Sequence, residues 1–451
     1  MLIAGLLASL AANLPGHMSA DSVIALDEAR TGVRQTWAPA AFSAVLRIFD
    51  NLLSGTGLYV AAASGLLFAS LMTLPSLRPR TGWGAVALAA LAVLTPQLLI
   101  YQGIVWRDVL FADLIIAGFV LLARADVVWV RRRDWLSLAG AALCLSLAAA
   151  VRQNGVVMLV AATVALGWMA RRGGWRAVAS WSLGSLALTL SLALGINALS
   201  QPLEAGEDLR PGAEVLILQH YDVVGALAHE PGLQLREIAA AAPANADRIT
   251  AWGPKVYSPA RADTLEIDPQ FRRALWTTPD LAMHAQWRDV VTNHTAAYLA
   301  HRWDMFRWVL ETPDIGQCLP VQTGVAGPLD VIQDLELDSA PTPKDAAMRA
   351  YAAQFYGTPV FSHLTFAAAA LVFALLLLRR SQPGDGVLAA LLLGVLAFTA
   401  TFFVIAVGCD YRNLYVLDLA AITGALYLAL DPSGTLRRRS RSAGSCGLTK
   451  G

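Results

Sequence analysis

Nine apolar runs, most of them close to the length of a membrane-crossing helix, constrain this chain more than any other feature of its sequence. They are Gly57–Leu77, Trp83–Ile100, Val109–Ala123, Leu136–Val151, Gly155–Ala170, Trp175–Leu199, Val360–Leu378, Val387–Val407 and Leu414–Leu430. A helix needs about 20 mostly apolar residues to cross the hydrocarbon layer. The opening segment Met1–Leu14 is apolar but short, and it lacks the basic leader of a signal peptide. Counted as a span, it brings the expected number to ten. Only 15% of the 451 residues are charged and 56% are apolar, against roughly 25% charged in a soluble domain. That composition excludes a water-soluble enzyme. A net charge of +1 points to no nucleic-acid partner. Lys255, Lys344 and Lys450 are the only lysines among 34 basic residues, an arginine bias that fits a GC-rich bacterial genome.

Charge in the connections sets the orientation. Arg78 and Arg80, Arg124 with Arg131–Arg133, Arg171, Arg172 and Arg176, and Arg379 and Arg380 fall in alternate connections. Arg437–Arg439 and Arg441 follow the last run. Basic residues concentrate on the cytoplasmic side, so ten spans with an inside N-terminus satisfy the alternation. The outward connections are then 13–56, the turns at Tyr101–Asp108 and Arg152–Gly155, the segment 200–358, and Cys409–Asn413. The expected fold is an all-α polytopic membrane protein of about ten transmembrane helices. Residues 1–199 form its first bundle, with 13–56 as an outer loop. Residues 200–358 form an inserted outer-face, periplasmic domain of mainly helical or mixed structure. Residues 359–430 return to the membrane, and 431–451 are a basic cytoplasmic tail.

The first outer loop carries an amphipathic pattern. Phe42, Val45, Leu46, Phe49, Leu52 and Leu53 recur at helical spacing opposite Ser43, Arg47, Asp50 and Asn51, with Trp37 and Pro39 just before. Such a helix lies in the membrane interface or packs on other protein. Segment 200–358 is too long for a structureless loop. It holds Trp252, Trp276, Trp287, Trp303 and Trp308, with helical patterns over Ala213–His229 and Leu281–Leu310 and connections near Leu319–Pro328 and Pro341–Pro343. Four cysteines are too few for a disulfide scaffold. Cys318 and Cys409 share the outer side, but nothing fixes their distance, and the unbridged reading is preferred.

The outer turns hold the chemistry. Trp106-Arg107-Asp108, Arg152-Gln153-Asn154, Asp410-Tyr411-Arg412-Asn413 and the loop acids Asp21, Asp27 and Glu28 belong to separate connections on one face. Charges beside spans are costly and usually functional. Each also has a structural reading: an ion pair at a helix end for Arg107 and Asp108, headgroup contact for Arg152, an ion-paired turn for Asp410 and Arg412, a helix cap for Asp21. Their convergence favours function. A carboxylate can deprotonate an acceptor or hold a divalent cation, and arginines can clamp a phosphate. A lipid-borne donor would enter sideways from the bilayer.

This pattern resembles the integral-membrane glycosyltransferases of the GT-C fold, which use polyprenyl-phosphate-linked sugars. The likeness rests on the acidic loop from Gly16 through Asp21 to Asp27-Glu28, on Trp106-Arg107-Asp108, on Arg152-Gln153-Asn154-Gly155, and on Asp410-Tyr411-Arg412. It covers residues 1–200 and 360–430 and omits the inserted segment. It implies Asp21 as catalytic base, Asp108 as second-loop acid, and Arg107, Arg152 and Arg412 as ligands of the donor phosphate. The family's first-loop acids stand together or one residue apart, whereas here Asp21 stands alone, so Glu28 remains an alternative. On a helix their seven-residue gap would put both on one face. The implied activity moves a sugar to a cell-envelope glycan, lipid or protein at the outer face of a bacterial inner membrane. No cofactor is called for; if a divalent cation (magnesium or manganese) is bound, Asp21 and Asp108 would hold it.

Other polar groups carry weaker signals. Asp27, Asn154, Asp410 and Tyr411 are possible pocket residues, as are His220 and Asp222, for which a structural role is preferred. His284, His294 and His301 lack the close spacing of metal ligands and read as surface or packing residues. No phosphate-binding loop or nucleotide fingerprint occurs, which speaks against an ATP-driven pump. A transporter or flippase for an anionic lipid or glycan is the alternative function, and a non-catalytic scaffold the third.

Overall fold

The computed structural model describes residues 1–431 except 37, 79–81, 130, 202–203 and 206–211. Trp37, Arg80, and the tail with Arg437–Arg439, Arg441 and Cys446 lie outside the described residues. Every apolar run becomes helix. The first half comprises α1 (Leu2–Asn13), α2 (Ala20–Thr31), α3 (Ala41–Leu52), α4 (Gly57–Thr73), α5 (Trp83–Val93), α6 (Pro96–Leu99), α7 (Arg107–Val128), α8 (Trp135–Val151), α9 (Val156–Ala170) and α10 (Gly174–Ser200). The run 83–100 is bent by 72° between α5 and α6. Pro96 forces this, because the residue before a proline leaves the helical region, and Thr95 is extended.

The segment after α10 is also helical, with α11 (Ala213–His229), α12 (Arg236–Ala241), α13 (Pro243–Val256), α14 (Pro269–Trp276), α15 (Asp280–Asn293), α16 (Thr295–Glu311), α17 (Leu329–Asp334) and α18 (Pro343–Ala353). The chain then closes with α19 (His363–Arg380), α20 (Asp385–Ile405) and α21 (Tyr415–Leu430). Among the described residues, strand pairing is confined to a two-residue parallel contact of Val33–Arg34 with Glu204–Ala205 and three isolated bridges.

Five helical stretches are long and apolar enough to cross a membrane, or six if the bent pair is one span. This is fewer than the ten expected, for local reasons. Helices α1 and α8 have only 12 and 17 residues. Helix α7 is long enough but carries Arg107, Asp108, Asp113, Arg124 and Asp126. The stretch 153–200 passes as one, yet holds α9 and α10 side by side, with Ser182 Oγ donating to the Thr163 carbonyl at 3.2 Å.

Helices α7, α8 and α9 run back and forth between two ends. One end holds the connections with Arg131–Arg133 and with Arg171–Arg172, and the other holds Asp108, Arg152 and Asn154. On other elements, Asp385 is fully buried and accepts from Arg78 and Arg380, whose guanidinium Nη2 lies at 2.7 Å.

Helix α3 packs one side of its amphipathic pattern on other parts of the chain. Phe42 and Phe49 set their edges against Tyr59 of α4, while Ile48, Leu52 and Leu53 stay exposed. The expected helix 281–310 is broken at His294, which leaves helical geometry (φ −117°, ψ 38°) and meets Glu230 at 3.0 Å. His301 is a packing residue, as expected: it is buried and accepts from Tyr257 Oη at 2.9 Å. Gly225 makes room for it, since any Cβ there would strike the imidazole ring.

The segment between α10 and α19 grips the first loop. Met18 pairs with Gly324 and Ala326 through backbone bonds of 2.9 Å, while His17 pairs with Gly103 and Val105 on its other side. His17 is 2% exposed; its Nδ1 accepts from the Gly324 N–H at 3.0 Å. Burial pulls its imidazole down to about 4, against the opposing pull of Asp345. The unfolded chain, with a histidine near 6.5, therefore binds a proton that the fold excludes. Stability from this group is complete above about pH 6.5 and is lost as pH falls toward 4, by up to about 3 kcal/mol. Thermal unfolding in micelles from pH 7.5 to 4.5 should show this slope, and His17→Asn should flatten it.

Candidate active site

A cavity of about 850 Å³ opens at the end of the helices where the outer turns meet. Asp21, Glu28, Arg107, Arg152, Asn154, Asp410 and Arg412 all line it. Residues 391 positions apart thus share one chamber.

Asp21 stands in the first turn of α2, with a side chain 62% exposed. Ser19, just ahead, holds the turn by accepting from Trp106 Nε1 at 2.8 Å. Asp108 occupies the first turn of α7 but is 3% exposed. Arg412 links the two: its guanidinium lies 2.6 Å from Asp21, 3.2 Å from Asp410 and 4.0 Å from Asp108, and 5.1 Å from the centre of the Trp106 ring. Arg152 pairs with Asp108 and lies among the rings of Phe111, Phe398 and Phe402. Its turn needs Gly155, where a Cβ would meet the Phe111 ring at 2.9 Å and the Ala148 carbonyl at 3.2 Å.

The two first-loop acids differ sharply. Glu28 accepts from the Gln35 and Thr36 N–H groups, the Thr36 hydroxyl and the Ser43 hydroxyl, at 2.7–3.0 Å. A carboxylate so occupied ties the loop to α3 and has little left for a substrate. Asp27 is held by the Gln35 amide and does not line the chamber. Asp21 is therefore the first-loop acid with room to react.

The arginines also separate. Among the described residues Arg107 has no hydrogen-bond or ion-pair partner, although it lines the chamber, whereas Arg152 and Arg412 are matched to carboxylates. The Asn154 amide nitrogen, buried on the same wall, is likewise without a partner. A free cation and a free donor suit an incoming anion.

Tyr411 is buried beneath the chamber and lines none of it. It donates to Asp418 at 2.6 Å and accepts from Gln97 at 2.9 Å, while His363 donates to its carbonyl at 3.0 Å. These contacts hold the turn that presents Arg412. His220 and Asp222, possible acceptor residues in the sequence, are also outside the chamber. His220 packs on Trp276, and Asp222 is a fully buried partner of Arg302, His301 and Trp287. Arg302 in turn donates to the Ala406 carbonyl at 2.7 Å, on the chamber rim.

Three charged chamber residues come from the long segment and were not singled out by the sequence: Glu214, Arg261 and Asp263. Arg261 lies 3.7 Å from Asp410. Burial pushes the Asp410 carboxyl up, against Arg412 and Arg261, which pull it down. Contrary to the preferred reading, Cys318 and Cys409 form a disulfide, next to Asp410. The Tyr411 N–H donating to the Cys318 carbonyl at 2.8 Å brings these strands of chain together.

The donor set does not fit a divalent cation. Arg412 already lies between Asp21 and Asp108, and among the described residues no three His, Cys, Asp or Glu side chains are grouped to hold a metal ion. No protein-family profile, curated protein or solved structure matches this chain.

Removing a matched arginine should differ from removing the free one. Arg152→Ala leaves Asp108 buried without its close partner and is expected to lower stability by about 3–5 kcal/mol. Arg107→Ala should stay within about 0.5 kcal/mol of wild type. Chemical unfolding of both variants in micelles measures the difference.

Proposed function

We propose that the chamber transfers a sugar from a polyprenyl-phosphate donor to a cell-envelope acceptor, with inversion. The observation that carries this reading is the presence of an exposed first-loop carboxylate, Asp21, and an unmatched guanidinium, Arg107, on the walls of a single cavity. Arg107 and the Asn154 amide hold the donor phosphate by charge-assisted hydrogen bonds. Asp21 takes the proton of the acceptor hydroxyl as its oxygen attacks the anomeric carbon. The bond from that carbon to the phosphate oxygen breaks on the opposite face, and the electron pair leaves with the polyprenyl phosphate. Arg107 stabilises the charge that develops there. Phe42, Ile405 and Val407 on the chamber wall provide an apolar path for the prenyl chain.

On this reading the chamber opens at the periplasmic face of a bacterial inner membrane. Two observations support that side. The arginine-rich connections lie at the other end of the helices, as cytoplasmic connections do. The disulfide beside Asp410 belongs to an oxidising compartment.

The alternative is a transporter or flippase of an anionic lipid or glycan, whose path would need polar groups at mid-depth. Below the chamber Asp418 is engaged with His363 and Tyr411, while Asp113 accepts from Gln102 at 2.9 Å and keeps one buried oxygen without a partner among the described residues.

Release of free polyprenyl phosphate from a panel of lipid-linked sugars, with purified protein in nanodiscs and membrane acceptor extract, tests the proposal. Asp21→Asn is expected to slow release by roughly 100- to 10,000-fold, and Arg107→Ala to weaken donor binding by at least ~10-fold. Release unaffected by Asp21→Asn would move the base elsewhere. No release from any donor, with cargo flux across sealed vesicles, would favour transport.

A further inference from the structure

A second cavity, of about 510 Å³, lies between α8, α9 and α10 and is unrelated to the chamber. Leu138, Leu145, Leu159, Leu166, Trp181 and Leu188 are among its walls. Its hydroxyls on Thr163, Ser185 and Thr189 donate to carbonyls of their own helices, so they leave an apolar surface. The volume is that of a small-molecule site, roughly 300–1,000 Å³.

Its position along α8 says what length of ligand it takes. The lining runs from Trp135 to Leu145, a rise of about 15 Å. That is half of the roughly 30 Å hydrocarbon layer, the depth of one leaflet. Leu159 and Thr189 line it toward the Arg152 end of the helices, and Trp135, Leu166 and Trp181 toward the opposite end.

That opposite end is basic. Trp181 packs edge-on against Trp129 at 4.8 Å and lies 6.1 Å from Trp135. Arg133 stacks on Trp129 at 4.1 Å, and Arg131 and Arg132 beside it are exposed. Arg171, Arg172 and Arg176 lie at the same end, in the connection from α9 to α10 and the start of α10. Asp134 is taken up by Arg124 at 3.6 Å and by capping α8. An apolar slot about one leaflet deep, with two arginine-bearing connections at one end, matches an acyl chain carrying an anionic head.

We propose that this groove binds one acyl chain of an anionic phospholipid from the surrounding bilayer, with the phosphate resting on Arg131, Arg132 and Arg133. The site is at the opposite end of α8 from Arg152, so it does not rest on the sugar-transfer reading.

The test uses the full-length protein in micelles, with phosphatidylglycerol and phosphatidylcholine of identical chains as probes. Native mass spectrometry should find phosphatidylglycerol retained roughly five-fold or more over phosphatidylcholine, and thermal unfolding should shift upward by several degrees with it alone. Changing Arg131, Arg132 and Arg133 together to Gln should abolish the preference. Gly184→Leu separates the groove from the charge. Its Cβ would meet nothing within 4 Å, so the leucine fits the fold, fills the slot, and should cut retention with the arginines intact. Equal retention of the two lipids, or an undiminished preference in the arginine variant, overturns the proposal. So does retention unchanged by Gly184→Leu, or displacement of phosphatidylglycerol by an equimolar polyprenyl phosphate.

Discussion

One guanidinium is shared by three carboxylates, and the chamber depends on that sharing. Arg412 reaches Asp21 from the first loop, Asp108 from the start of α7, and Asp410 from its own turn. Three acids near one another in a partly dry site would repel and take up protons. A cation among them offsets that repulsion and holds three separate connections together. The charge it supplies is consumed in doing so, which is why the unmatched Arg107 matters for any incoming anion. Arg152 plays the same part deeper down, among aromatic rings that exclude water from its pair with Asp108.

Beneath this layer lies a second one that touches no ligand. Tyr411, Asp418, His363 and Gln97 fix the turn from below. Half-satisfied networks of buried polar groups are costly and complete ones rigid. The Tyr411 hydroxyl, both His363 nitrogens and both Asp418 oxygens are engaged, and the Gln97 carbonyl oxygen is the one buried atom of the four side chains without a partner among the described residues.

Much of this architecture was legible in the sequence. The apolar runs predict helix positions to within a few residues, because a run long enough to cross a bilayer leaves few alternatives. The meeting of Asp21, Asp108, Arg152, Asp410 and Arg412 was legible too, since alternating basic connections imply which turns share an end. Distances within the site were not. Asp21 and Glu28 look equivalent as letters, and only the four donors closing on Glu28 distinguish them. Arg261 and Asp263 sit in a polar stretch without pattern and reach the chamber through tertiary packing alone. The Cys318–Cys409 bridge spans 91 residues, and no local rule brings its ends together. The span count differs because α1 and α8 are short and α7 is charged, features that hydropathy and packing weigh differently.

Besides its grip on the first loop, the long segment between α10 and α19 meets the rest of the chain at the short stretch 406–410. Arg302 holds the Ala406 carbonyl, the Ala262 N–H holds the Val407 carbonyl, Cys318 is bonded to Cys409, and Arg261 faces Asp410. The segment is therefore not an exchangeable cassette. A graft from another protein would have to bring a matching arginine, cysteine and backbone edge, or the turn bearing Arg412 would lose its outer wall. In lineage terms, this segment and that short stretch would have to change together.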